Sequence, residues 1–213
     1  MSRTTRAGLC IYAVVPASEL PAPCRTMSGV RLIRCGPVAA AVGRSRRQAT
    51  ADAARRHDQI VGRLLAVCSS VVPFRFGIDV GSHAELRGLL ELNLDRLGRS
   101  LARVRGRVEM GARVKLPAWG PAAAQRLKSG LAPIRALAPS TDDRRERLQQ
   151  VATGRIFEGC YLIPSQAVDA FWSAVDESRS ALVDLPTLGS GPWAAYSFCD
   201  TVLRPARAHP EVR

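Results

Sequence analysis

Near its carboxyl end the chain reads Ser190-Gly191-Pro192-Trp193-Ala194-Ala195-Tyr196-Ser197-Phe198, and no other stretch restricts the fold as sharply. Aromatic residues make up only 5% of the chain, yet three of them fall here within six positions. Gly191 admits backbone angles closed to residues with a β-carbon, and Pro192 fixes φ at the elbow. Trp193 is therefore presented at a set angle. Large apolar side chains on a rigid elbow imply docking. Trp193 and Phe198 are expected to pack onto the body of the protein, with stability as their first role and recognition as their second.

The scarcity of aromatics elsewhere means that the core is built mainly from Leu, Val and Ala. At 213 residues, with 46% hydrophobic residues and a mean hydropathy of -0.02, the chain can bury a real core in one large or two small domains. The formal charge is +13, and all of the basic residues except Lys115 and Lys128 are arginine. Such arginine and alanine enrichment follows more readily from GC-rich codons than from an acidic partner such as nucleic acid, a membrane surface or a negatively charged protein. Six cysteines, Cys10, Cys24, Cys35, Cys68, Cys160 and Cys199, show no C-x-x-C pair and no histidine at metal-ligand spacing. Most lie in apolar runs, where a free thiol acts as a small hydrophobe, so no metal is expected and a reducing compartment fits. Arg3 and Arg6 before Leu9–Val15 loosely mimic a secretory signal, but the run is short and reads as a buried first strand. No apolar run reaches the roughly 18 residues of a membrane span.

Along the chain, Leu9–Val15, Val30–Ile33 and Pro37–Val42 are strand candidates, the last two split by a turn at Cys35-Gly36-Pro37. A Pro/Ala/Ser-rich loop spans Pro16–Ser28, and the basic stretch Arg44–Arg47 precedes a helix over Ala51–Cys68. That helix carries one apolar stripe through His57, Ile60, Val61, Leu64 and Leu65. In Val71–Gly77, extended chain would put Phe74 and Phe76 on one face and Arg75 on the other. Ser82-His83-Ala84-Glu85 forms a capping box opening one long helix to about Arg103, and Arg105–Lys115 reads as a strand with a dry face and a charged face. Gly120-Pro121 starts a short helix that Pro133 interrupts. Ser140 or Thr141 caps a polar helix through Gln150, Phe157–Ile163 is a strand, and Ser165 caps a helix bearing Phe171 and Trp172. Ala181–Leu185 is the last strand candidate before the elbow. Strands and helices alternate irregularly, which favours α+β.

Catalytic signatures are missing. Gly106–Gly111 has the outline of a phosphate loop, but Ala112-Arg113 stands where Lys and Ser/Thr are needed. There is no G-x-S-x-G, no H-E-x-x-H and no dinucleotide fingerprint. His57 reads as a packed, hydrogen-bonded helix residue, while His83 sits in a first turn and His209 in the tail. The adjacent carboxylates Asp142-Asp143 and Asp176-Glu177 diverge on a helix and make no acid/base dyad. Phe74-Arg75-Phe76 is a faint version of the stacking aromatics beside arginine that nucleic-acid binders use. Arg96, Arg99 and Arg103 share one helical face, and Arg144, Arg145 and Arg147 crowd another helix.

Three segments in order resemble one family, the gas vesicle proteins GvpL and GvpF. Val72-Pro73-Phe74-Arg75-Phe76-Gly77, after Arg56-His57, is similar to the family's "lPxRFG" element. Gly106-Arg107-Val108-Glu109-Met110-Gly111 is similar to its "G+vE.g" strand. The elbow resembles Thr-Gly-Pro-Trp-Pro-Pro-Tyr-Ser-Phe, with Ser190 for Thr and Ala194-Ala195 for the two prolines. Ile11–Val15 looks like the family's first strand. The resemblance implies an α+β protein: a modified ferredoxin-like N-terminal domain over 1–115, then a second α+β domain over 116–213 whose C-terminal tail packs on the body. It implies a cytoplasmic, non-catalytic accessory protein of gas vesicle assembly, without cofactors, that binds the hydrophobic shell protein GvpA and other accessory proteins. The residues it marks are Phe74, Arg75, Phe76, Gly77, Glu109, Gly191, Pro192, Trp193, Tyr196 and Phe198. The alternative is a ferredoxin-like nucleic-acid binder using an arginine surface; a hydrolase or transferase with a scattered site has no motif behind it.

Overall fold

The computed structural model describes residues 8–19, 29–45 and 50–199. Arg3, Arg6, Cys24, Arg46, Arg47 and His209, with most of the loop expected over 16–28, lie outside the described residues. The chain divides into two compact units, one reaching Arg105 and including Cys199, the other Gly106–Phe198.

The first unit is organised by β1 (Leu9–Pro16), every residue of which is buried. A strand buried on both faces needs no polar alternation, and Leu-Cys-Ile-Tyr-Ala-Val-Val has none. β2 (Arg31–Cys35) and β3 (Val38–Arg44) form the expected hairpin, and β4 (Val72–Pro73) and β5 (Asp79–Val80) are short. The sheet order is β2-β3-β1-β4 with β5 beside β1, all antiparallel, the strand order of a ferredoxin-like sheet. α1 (Ala51–Val67) follows β3; Thr50 accepts a hydrogen bond from the Ala53 amide at 3.1 Å, and the buried stripe is Ala53, His57, Ile60, Val61 and Leu64. Leu86, Leu90, Leu97 and Leu101 of α2 (His83–Leu92) and α3 (Leu94–Val104) pack with Leu9, Ile11, Val14, Val38, Ala40 and Val42 of the sheet.

The capping box is present: the Glu85 amide donates to Ser82 Oγ, and the Glu85 carboxylate accepts from the Gly81 amide. The single helix expected after it is broken at Asn93. That residue has φ -118° and ψ 11°, and its side-chain amide donates to the Leu89 carbonyl at 2.7 Å. An Asn that bonds the preceding turn competes with the helical ladder.

In the second unit an antiparallel sheet runs β7-β8-β6-β9. β6 (Arg107–Leu116) pairs along its length with β8 (Gly154–Pro164). This strand, read from sequence as the end of the first domain, thus belongs to the second sheet. α4 (Pro121–Gly130) and α5 (Ala132–Ala136) flank a break at Leu131, with Pro133 in the first turn of α5. α6 (Val168–Ala181) packs on β9 and on both of them.

Three further expectations are corrected here. The polar helix over 141–150 is a 3-10 turn capped by Ser140 and then a strand, β7 (Arg144–Val151). β7 and β8 close a hairpin at Ala152-Thr153, with Gly154 at φ +123°, and Arg147 lies opposite Glu158. The opposite-charge pair and the tight turn outweigh the helix propensity of Arg and Gln. Ala181–Leu185 is the end of α6 and a turn; the last strand is β9 (Thr187–Trp193), which contains the elbow. Ser165 makes no side-chain cap on α6 but donates from Oγ to the Gly106 carbonyl at 2.6 Å. Both units combine an antiparallel sheet with helices, so the α+β class holds.

Candidate functional site

The family-like segment Pro73–Gly77 belongs to the first unit. Phe74 is fully buried in the core, and its amide donates to the Tyr12 carbonyl at 2.8 Å. Tyr12 sits where the β1–β3 register shifts between Ile11 and Ala13. His57 donates from Nε2 to the Phe74 carbonyl at 2.7 Å and meets the rings of Tyr12 and Phe76 at 5.2 and 5.8 Å. Its Nδ1 is buried without a hydrogen-bond partner among the described residues. Burial lowers the His57 pKa from its ordinary value, against the hydrogen bond to the Phe74 carbonyl, which raises it. The shared face expected for Phe74 and Phe76 is not formed: the chain turns at Phe76-Gly77, leaving Phe76 36% exposed and Arg75 exposed.

Glu109 and the elbow come together in the second unit. β6 was expected to carry Glu109 on a charged face, but the residue is only 7% exposed. Its two carboxylate oxygens accept from the Ser197 amide at 2.7 Å and from Ser197 Oγ at 2.8 Å. The turn over 194–198 is thereby tied to the sheet, with Ala194, Ala195 and Phe198 buried and Tyr196 half-buried. The Arg145 guanidinium lies over the Phe198 ring at 5.2 Å. Burial raises the pKa of the neighbouring Cys160 thiol, against a hydrogen bond with Ser197 that lowers it. Gly191, at φ +117°, has a backbone no β-carbon would suit: an added methyl would come within 2.8 Å of Met110 Sδ.

Trp193 does not pack as expected. It is 52% exposed, and Pro192 is exposed beside it. The anchor of the tail is Phe198, aided by the two alanines that stand where the family pattern has prolines. Leu188 is 61% exposed, and the register sets Leu188 and Trp193 opposite Arg113 and Glu109, which share one face of β6. Two large apolar side chains thus stand in solvent along the β9 edge of a fixed sheet.

Sequence reasoning missed a polar cluster beside a cleft of about 480 Å³ in the same unit. Arg135 donates from Nε and Nη2 to the two oxygens of Glu146, both at 2.8 Å, and Tyr161 donates its hydroxyl to Glu146 at 2.9 Å. Burial alone would raise the Glu146 carboxyl, but the hydrogen bonds from Arg135 and Tyr161 outweigh it and hold the pKa below the ordinary value. Burial pushes the Tyr161 phenol strongly upward. The sequence signal for it is the period-two spacing of Glu146 and Leu148 between arginines, in residue types that by themselves suit a helix. Among the described residues no group of three or more His, Cys, Asp or Glu is placed to hold a metal ion, and no helix is long and apolar enough to cross a membrane.

Residues 8–158 and 122–200 match the family described as gas vesicle synthesis protein GvpL/GvpF. Gas vesicle proteins F2 and F1 of Halobacterium salinarum are 29% identical over 141 residues and 27% over 135. Each alignment takes in 62% of this chain, and the chain spans only 59% and 60% of those two relatives. The crystal structure of GvpF from Anabaena sp. PCC7120 superposes with a TM-score of 0.74 at 16% identity, covering 96% of this chain and 99% of that one. GvpF from Microcystis aeruginosa gives 0.71 at 14% identity, covering 90% and 98%. At such identities these two likenesses establish the fold, and the family match carries the descent: the chain belongs to the gas vesicle GvpL/GvpF family.

Proposed function

We propose that this protein is a non-catalytic accessory factor of gas vesicle assembly, acting in the cytoplasm and at the vesicle, and that it binds the shell protein GvpA and other gas vesicle accessory proteins. Family membership over residues 8–200 carries the reading. The physical logic agrees. A strongly apolar shell subunit needs cover before it assembles, and a folded partner supplies cover when it exposes apolar groups on a rigid frame. Leu188 and Trp193 are such groups, and Glu109 and Phe198 hold the frame behind them. Phe76 offers a further exposed ring beside Arg75 and Gly77 in the first unit.

Co-purification with tagged GvpA tests this directly. The parent chain is expected to retain GvpA, and a Leu188→Ser/Trp193→Ser double variant to retain less while keeping its unfolding transition. Normal vesicles in a strain lacking the chain, or equal capture by the double variant, would overturn the assignment of the partner or of the surface.

A further inference from the structure

The second sheet has an open side opposite β9. β7 pairs with β8, and no strand lies beyond it among the described residues. Residues 144–151 therefore turn a row of backbone N–H and C=O groups outward, ready to pair with another chain. The 480 Å³ cleft adjoins this edge and is lined by Trp119, Leu127, Leu148 and Phe157. Its size suits one or two large apolar side chains.

Charge selects among occupants. Lys128 and Arg135 line the cleft against one carboxylate, Glu146. That carboxylate is already filled by Arg135 and Tyr161. On the other face of β7, Arg113 and Arg147 share Glu158, and Arg145 stands two residues along on that same face. Both faces of the edge thus carry surplus positive charge. A second copy of this strand would bring Arg144, Arg145 and Arg147 against their own kind, which disfavours pairing of the chain with itself.

We propose that the β7 edge takes up an extended acidic segment of a partner protein, in which carboxylates alternate with bulky apolar residues. Backbone hydrogen bonds to β7 hold the segment. Alternation puts its apolar side chains on the Leu148 side, in the cleft against Trp119, and its carboxylates on the Arg145 and Arg147 side. This surface is separate from the Leu188–Trp193 edge and does not depend on the partner proposed there.

Fluorescence anisotropy tests it with the full chain and a labelled, end-blocked peptide of alternating Glu and Phe. Saturable binding is expected. A Glu/Ser peptide of equal charge, and a Glu/Phe peptide methylated on alternate amide nitrogens, should each bind at least about tenfold more weakly. Lys128→Glu should weaken the Glu/Phe peptide about tenfold, and Trp193→Ala should leave it unchanged. The proposal fails if no binding appears up to about 1 mM. It also fails if the Glu/Ser peptide binds equally, which would be general attraction to a basic chain, or if N-methylation has no effect. Self-association that the peptide cannot reverse would assign the edge to a second copy instead.

Discussion

Replacing Glu109 tests whether the elbow is held by one buried carboxylate. Glu109 accepts two hydrogen bonds from Ser197, at 2.7 and 2.8 Å. A hydrogen bond to a charged group is worth about 1.5–3 kcal/mol, less where water still reaches it. Glu109→Ala removes both acceptors and leaves the Ser197 amide without its partner, so a loss of about 2–4 kcal/mol is expected. Glu109→Gln keeps the shape. Its carbonyl accepts from the Ser197 amide, and its NH2 donates to Ser197 Oγ, which changes from donor to acceptor. That variant should lose only about 1 kcal/mol, as should Ser197→Ala, which keeps the backbone bond. All three tryptophans, Trp119, Trp172 and Trp193, lie in the unit Gly106–Phe198, so tryptophan fluorescence in urea follows this unit selectively. The reasoning is refuted if Glu109→Ala unfolds within about 0.5 kcal/mol of the parent, or if Gln is as damaging as Ala.

Trp193→Ala should change stability by less than about 1 kcal/mol because the ring is half in solvent, whereas Phe198→Ala should lose about 3–4 kcal/mol; urea midpoints in the reverse order would contradict the assignment of the anchor. Gly154→Ala combines φ +123° with a methyl 2.2 Å from the Leu116 carbonyl oxygen and should lose about 2 kcal/mol or more, while Gly88→Ala, with open space in α2, should be neutral or stabilising in the same assay. His57 has its folded pKa below the ordinary 6.5, so the unfolded chain binds more protons and stability falls as pH drops below about 6.5; His57→Gln, which keeps a donor for Phe74, should show a shallower fall between about pH 7 and pH 5.5 in chemical denaturation. In filter binding, nucleic acid should be retained feebly at low salt and lost at moderate salt; tight retention at moderate salt would restore the nucleic-acid reading.

The first sheet and α1 were legible because one signal dominates each. An unbroken apolar run makes β1, a Gly-Pro turn separates β2 from β3, and a stripe at helical spacing makes α1. The capping box located the start of α2 for the same reason: it is a local hydrogen-bond device. β7 was illegible because its stability is not local. Arg144–Val151 holds residues that suit a helix, and it is a strand because Glu158 on β8 lies between Arg113 and Arg147 on the strands at either side. Glu109 was found as a motif residue, but its burial was not, since its partner Ser197 is 88 positions away. Trp193 is expected inside because a rigid Gly-Pro elbow presents a large apolar ring. The structure uses Phe198 for that purpose and leaves the larger ring outside, an arrangement that depends on where the turn at 196–198 sets each side chain.

The same long-range pairings change what the net charge of +13 means. Arg113 and Arg147 both bind Glu158, Arg135 binds Glu146, Arg107 binds Asp143, and Arg145 covers Phe198. Each arginine here joins neighbouring segments of the second unit, a task its planar fork performs and lysine's single ammonium does not. Enrichment in arginine over lysine therefore has a structural cause as well as a compositional one. It is also poor support for nucleic-acid binding. Base stacking by the Phe74-Arg75-Phe76 segment needs both rings free in solvent, but Phe74 is wholly buried and Phe76 meets His57 edge-on. What remains after the internal pairs are discounted is a surplus of guanidinium at a sheet edge where carboxylates are scarce. A surplus of that kind repels a second copy and attracts an acidic strand, so the arginines that join the sheet internally also bias what can be added to it.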